Sequence, residues 1–246
     1  MSVIKKSCLV LAAAVLCGFG GPFAQGAAFK AHVIIESSKQ GSHGSPQDLN
    51  AVLWLTPAKG WAGSPLRAQD SGAPPQLVQK NKQFVPHVIA VEVGSVVDFP
   101  NHDPFFHNVF SLFDGKRFDL GLYEAGSTRS VHFDRAGICY IFCNIHPQMS
   151  AIVVVVDTPY FAVSNRQGDV VIPDVPAGRY KLNLWEEHCS PENLKEASRE
   201  VTVGTDASSL ETIRLERSKE LVMVHPNKYG RKYDPQVFSS PIYSQP

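Results

Sequence analysis

Cys143, His146 and Met149 fall at C-x-x-H-x-x-M spacing inside the run Gly137 to Met149, G-I-C-Y-I-F-C-N-I-H-P-Q-M. One thiol, one imidazole and one thioether therefore come from a single strand end and the tight loop that Pro147 closes. His107, upstream in F-F-H-N-V-F, supplies a second imidazole. Two His and one Cys in a trigonal plane with a weak axial Met are the ligands of a blue-copper electron-transfer site. Zinc would take the Cys and His readily, but it has no attraction for Met, and a soft thioether favours copper. Four filled positions leave none for a substrate, so the set predicts no catalytic residue and no enzyme. A Ser-His-Asp hydrolase is excluded as well, because no G-x-S-x-G elbow is present.

These side chains need rigid elements behind them. Residues before Cys143 alternate as in a half-buried strand, which puts 139, 141 and 143 on one face and 138, 140 and 142 on the other. Cys139 then faces the core about 13 Å from Cys143, at about 3.3 Å per residue. That is too far for a disulfide, which needs Cα atoms within about 7 Å. Further strands are predicted near Ala31 to Glu36, Ala51 to Leu55, His87 to Val93, Ser95 to Phe99, His107 to Leu112, Ser127 to Phe133 and Ala151 to Val156, with turns at Val93-Gly94-Ser95 and Arg135-Ala136-Gly137. The pattern is that of a β-sandwich. Lys59 to Gln76, rich in Gly, Pro and Ala, reads as a long surface loop. His87, His102 and His132 are ligand-capable but read as surface or hydrogen-bonded strand histidines; His102 and Asp103 are near enough to His107 in sequence to rim the site.

Met1 to about Ala28 carries Lys5 and Lys6, an apolar run from Cys8 to Leu16, and small residues from Ala24 to Ala28. The run is too short to span a bilayer and reads as a secretory signal peptide, which would remove Cys8 and Cys17. Its loss takes the 23 basic residues to 21 against 23 acidic ones, a formal charge of −2. Nothing in that balance suggests a nucleic-acid partner, and no membrane span is expected in the mature chain. Cys139, Cys143 and Cys189 remain, an odd number that argues against a disulfide framework.

After Val156 a second set of strands begins, at Tyr160 to Val163, Val170 to Ile172, Tyr180 to Trp185, Arg199 to Val203 and Leu210 to Leu215, with turns at Asn165 to Gly168 and Pro176-Ala177-Gly178. Asp157-Thr158-Pro159 is too short for a free linker. From Arg217 the chain lacks a core pattern and is mildly basic, with Lys219, Lys228, Arg231 and Lys232 set among prolines. It reads as a strap over the small second sandwich or a loose end, with docking to an acidic partner as the alternative.

The span from about Gln79 to Val156 resembles the cupredoxin family, through F-V-P-H-V-I-A-V-E-V-G-S-V-V-D-F-P-N-H-D, H-N-V-F-S and C-N-I-H-P-Q-M. Its short ligand loop looks most like that of amicyanin. With F-D-L-G-L-Y and D-T-P-Y-F-A-V it is also similar to periplasmic proteins of the methylamine-utilisation or plastocyanin-like type. The resemblance implies an all-β chain: a Greek-key cupredoxin sandwich over 29–157, holding one mononuclear type 1 copper. His107, Cys143 and His146 would be its equatorial ligands and Met149 its axial ligand, with the Asn108 amide tying the His loop to the Cys loop. Cys139 departs from the bulky residue usual there. The run G-D-V-V-I-P-D-V-P-A-G-R-Y-K-L resembles the transthyretin-like carboxypeptidase regulatory-like sandwich, here over 158–216, followed by a tail over 217–246. That small sandwich is expected to pack against the first, as a spacer or as a cell-wall or carbohydrate contact. The implied function is periplasmic carriage of single electrons between redox protein partners. A copper-delivery protein using the same ligands, or a non-redox binding scaffold, are the alternatives.

Overall fold

The structure is a computed structural model that describes residues 27–36, 49–58, 72–112, 115–205, 208–209, 212–218 and 226–233. The chain runs through β1 (Ala27–Glu36), β2 (Val52–Pro57), β3 (Val78–Lys80), β4 (Gln83–Val85), β5 (Val88–Glu92), β6 (Val96–Pro100), β7 (His107–Ser111), β8 (Phe118–Tyr123), β9 (Thr128–His132), β10 (Gly137–Cys143) and β11 (Ser150–Val156). It continues with β12 (Phe161–Val163), β13 (Asp169–Val175), β14 (Gly178–Trp185), helix α1 (Pro191–Ala197), β15 (Arg199–Val203), β16 (Ser208–Ser209) and β17 (Ile213–Glu216). The all-β reading holds. The hairpin β3–β4, strand β8 and helix α1 add to the expected elements. The start of the strand expected at Leu210, the leader up to residue 26 and most of the loop expected from Lys59 lie outside the described residues. Among the described residues no helix is long and apolar enough to cross a membrane.

β11 sets the layering. Its residues Ala151 to Val156 are all buried, the mark of a strand covered on both faces. Ala151, Val153 and Val155 enter one core with Leu77, Phe99, Val109, Phe133, Ile141 and Cys143, whereas Ile152, Val154 and Val156 enter another with Val52, Val88 and Trp185. The sheet β5-β11-β10-β7-β8 thus faces the pairs β6–β9 and β3–β4 on its inner side. On its outer side it meets the sheet β12-β2-β14-β15, whose other face packs on β1, β13 and β17. The described strands thus stack in four layers with three apolar cores between them.

This arrangement differs from the linear division at residue 157. β1 pairs with β13 and β17, and β2 pairs with β12 and β14, so both strands belong to the sandwich of the later strands. The sandwich that carries His107 and Cys143 begins near residue 76, where Gln76 bridges Asp98. β1 also takes in Ala27 and Ala28, inside the stretch assigned to the leader. Alternation in β1 and β2 does show which residues are buried. It carries no information about which sheet buries them, since both sandwiches offer the same apolar surface. The crossing at 157–160 is tight, as expected: Thr158 is buried, and its hydroxyl donates to the Leu55 carbonyl at 2.8 Å.

Cys139, Cys143 and Cys189 are free. Cys139 and Cys189 lie in separate cores, Cys139 in that of the sandwich that carries His107 and Cys143 and Cys189 in that of the other. Cys139 Sγ accepts the Lys116 N–H at 3.0 Å, and a Cβ on Gly115 would stand 2.4 Å from that sulfur. The small thiol in place of a bulky residue is what lets the chain around Gly115 close over this strand.

Candidate metal centre

β7 and β10 run antiparallel with Cys143 opposite Val109. The same register carried two residues further brings His107 level with residue 145, just past the strand end. The loop from Cys143 to Met149 is closed by its own backbone: Cys143 N–H donates to the Met149 carbonyl at 3.1 Å and Met149 N–H to the His146 carbonyl at 2.9 Å. Asn144 N–H donates to the Asn108 carbonyl at 2.9 Å, so the two ligand-bearing segments are stitched together one residue after His107 and one after Cys143.

Cys143 Sγ lies 3.5 Å from His107 Nδ1 and 3.6 Å from His146 Nδ1, and the three donor atoms are all within 4.8 Å of one another. Donors about 2.0 Å (N) and 2.3 Å (S) from one ion, at 120°, stand about 3.7 Å apart. The donor set therefore fits a trigonal metal position. Cys143 and His107 are completely buried and His146 is 7% exposed. Met149 is 1% exposed, and its side chain belongs to the same core as Cys143. The rings of Phe105, His107 and His146 pack in a triangle, with centroids 4.9 to 5.4 Å apart.

The electrostatics suit metal ligation. Burial lowers the His107 pKa, against the hydrogen bond and charge of Asp103. Burial lowers His146 to about 4, with the positive charges of His107 and Lys82 adding to the effect. Both imidazoles are then neutral, with lone pairs available at ordinary pH. Burial pushes the Cys143 thiol up, against backbone N–H groups of Asn108, His146 and Ile145 that point at the sulfur. Without metal the sulfur is a thiol, and metal binding would release its proton.

Asp103 does more than rim the site. Its Oδ2 accepts His107 Nε2–H at 2.8 Å, which fixes the tautomer that turns Nδ1 toward Cys143. The carboxylate also accepts Asn81 N–H at 2.6 Å and Lys82 N–H at 3.0 Å. Although burial raises its pKa, these three donors hold it below the ordinary value. Asn81 and Lys82, both at φ 55°, form the two-residue turn of the β3–β4 hairpin, and their N–H groups make a cradle for the anion. The turn has no glycine, so sequence reading had no signal for it. His102 is exposed and His87 bonds Glu187 at 2.7 Å, and neither is among the donor atoms that cluster with Cys143.

Asn108 differs from the role its resemblance implied. Its side-chain amide donates to Asp119 Oδ1 at 2.6 Å and to the Gly121 carbonyl at 3.0 Å, both on β8; it is the Asn108 backbone that reaches the Cys143 loop, through its carbonyl to Asn144 N–H and its N–H toward the Cys143 sulfur. The tail also departs from expectation. Residues 226–233 lie against the metal end, where Lys228 bonds Asn144 and Asp119, and Tyr233 bonds the Cys143 carbonyl.

No family model matches the chain, and no curated protein matches it. Among solved structures it is similar to a purple cupredoxin from Nitrosopumilus maritimus, at 23% identity over 33% of this chain and 99% of that one, with a TM-score of 0.31. It is also similar to a reduced Cu(I) form of an amicyanin variant, at 22% identity over 36% of this chain and 88% of that one, with a TM-score of 0.33. A copper-containing nitrite reductase from Thermus scotoductus matches at 23% identity and a TM-score of 0.33, over 42% of this chain but only 25% of the reductase. At these TM-scores the likenesses leave the chain's family open.

Proposed function

We propose that the chain holds one mononuclear copper ion through His107, Cys143 and His146, with Met149 as a weak fourth ligand, and carries single electrons between redox protein partners. The observation that carries this reading is the approach of two imidazole nitrogens to one buried thiol sulfur, at 3.5 and 3.6 Å. When bound, copper supplies a Cu(I)/Cu(II) couple. The protein's own residues do the rest. The β7–β10 ladder and the closed loop hold three donors in place, Asp103 orients His107, and the surrounding apolar core excludes water. With those positions preset, little has to move when an electron arrives. Four protein ligands would fill the coordination of one ion, and this supports reading the chain as a carrier with no enzymatic activity.

The charged, then apolar, then small-residue pattern up to Ala28 supports export to the periplasm. The later sandwich, through its resemblance to carboxypeptidase regulatory-like domains, is read as a support that orients the metal end, with cell-wall or carbohydrate contact as its other reading.

Loading with Cu(II) should produce strong absorption in the red from thiolate-to-metal charge transfer, and Cys143→Ser should abolish it. A colourless complex, or a band that survives the substitution, would refute the assignment. Reduction in the presence of a competing Cu(I) chelator separates the two carrier readings. Retained copper with rapid one-electron exchange supports electron transport, while prompt transfer of copper with poor exchange puts delivery ahead.

A further inference from the structure

The segment 226–233 carries its own hydrogen bonds. Asn227 Oδ1 accepts the N–H groups of Tyr229 and Arg231 at 3.0 Å each, Asn227 N–H donates to the Arg231 carbonyl at 2.8 Å, and Gly230 N–H to the Asn227 carbonyl at 2.9 Å. Gly230 sits at φ 74°, a conformation this turn needs and glycine adopts without strain. The turn presents Lys228 twice to the metal end: its N–H donates to Asn144 Oδ1 at 3.0 Å and its ammonium to Asp119 Oδ2 at 2.9 Å.

These contacts close a ring. Lys228 bonds Asn144, Asn144 bonds the Asn108 carbonyl, the Asn108 amide bonds Asp119, and Asp119 returns to Lys228. His107 immediately precedes Asn108 and Cys143 immediately precedes Asn144, so the ring links the backbone positions next to the thiol and the first imidazole. Tyr233 adds a hydroxyl hydrogen bond to the Cys143 carbonyl at 3.3 Å, from a partly buried position. The ion pair alone contributes little, because the side chains of Lys228 and Asp119 are 19% and 43% exposed and the charges are screened. The bonds to the loop itself come from the Lys228 backbone N–H, to the Asn144 amide oxygen, and from the Tyr233 hydroxyl, to the Cys143 carbonyl; a carboxylate at 228 would face Asp119 and push the segment off the first of them.

We propose that residues 226–233 are a clasp belonging to the metal centre, in which Lys228 and Tyr233 are positioning residues for the Cys143–Asn144 end of the ligand loop. In sequence this stretch is separated from the loop by more than 70 positions and has the composition of a solvated tail. In the fold it is the outer wall of the site. The spectroscopic part of its test rests on the copper reading; the thiol part does not.

The test uses full-length protein with Lys228→Glu, Lys228→Arg, Tyr233→Phe and the Lys228→Glu/Tyr233→Phe pair. In metal-free protein, alkylation by iodoacetamide is followed at Cys143 and Cys189 separately by peptide mass spectrometry. Opening the clasp should raise the Cys143 rate about tenfold in the double variant, equivalent to about 1.4 kcal/mol. The expected result includes a smaller rise in Tyr233→Phe, a near-normal rate in Lys228→Arg, and no change at Cys189, which lies in the other core. With Cu(II) bound, the charge-transfer band and the EPR hyperfine splitting should shift in the double variant and return with Lys228→Arg. Equal increases at Cys143 and Cys189 would mean general loosening and would overturn the clasp, as would unchanged alkylation at Cys143. If the parent protein shows no charge-transfer band, the copper reading fails while the alkylation rates still decide the clasp.

Discussion

Asp103→Asn tests whether the site is held by the groups behind its ligands. The carboxylate is 4% exposed and accepts three N–H groups, from His107 Nε2, Lys82 and Asn81. An amide has one acceptor oxygen. Placed at the Oδ2 position, it serves His107 and Lys82 but turns its NH2 toward the Asn81 N–H. Placed at Oδ1, it turns the NH2 toward both of the others. Either way at least one part-buried donor loses its acceptor, at about 1–3 kcal/mol, and the remaining bonds lose their charge assistance. The metal-free variant should be about 2–4 kcal/mol less stable by denaturant unfolding. The second orientation also invites the His107 proton to move to Nδ1, the atom that faces Cys143. Copper affinity should therefore fall about 10- to 100-fold in competition titrations. Removing a negative charge beside His107 disfavours Cu(II) more than Cu(I), so the reduction potential should rise. Wild-type copper affinity together with an unchanged potential would refute the role assigned to Asp103.

Other substitutions probe separate parts of the molecule. Met149→Gln should keep copper and colour but lower the reduction potential in voltammetry, because an oxygen donor favours Cu(II). Gly115→Ala would force a Cβ to within 2.4 Å of Cys139 Sγ and 2.9 Å of the Ile138 carbonyl at φ 87°, and should lower stability by about 2–4 kcal/mol, read as a lower thermal midpoint. His188 bonds Glu186 at 3.1 Å, and that contact raises its pKa above the ordinary value. The stability it contributes is fully present below about pH 6.5 and is lost as pH rises through the raised pKa. The gap in stability between the parent protein and His188→Gln should accordingly narrow from about pH 6.5 upward in denaturant titrations.

The meeting of Cys143 with His146 and His107 was legible because soft donor types at C-x-x-H-x-x-M spacing carry their chemistry in their identities, and a strand end brings them to one place. What lay behind them was not. Asp103 acts on His107 through a hairpin turn whose left-handed residues are Asn81 and Lys82, and nothing in an Asn-Lys pair announces that conformation. Asn108 was recognised, yet its amide points along β8 to Asp119, a partner that depends on the pairing of β7 with β8. Lys228 and Tyr233 sit in a polar, proline-interrupted stretch, where composition reports solvent and cannot report a contact across the fold.

The layering follows from one strand more than from any other. A run of Ala-Ile-Val-Val-Val-Val with every side chain buried requires apolar cover on both faces, and a lone sandwich covers only one. The cover on the outer face comes from Val52 and Trp54 of β2, Phe161 and Val163 of β12 and Trp185 of β14. β2 can serve there only if it leaves the sandwich of β10 and β11 and pairs with β12 and β14, which is where it is found. Its inner residues Leu53 and Leu55, with Ala51 just before the strand, then fill the other core, so a single strand is buried in two layers at once. Such a strand cannot be withdrawn from either core without exposing the other. The later sandwich is therefore built into the support beneath β10 and β11, the two strands between which the ligand loop is strung.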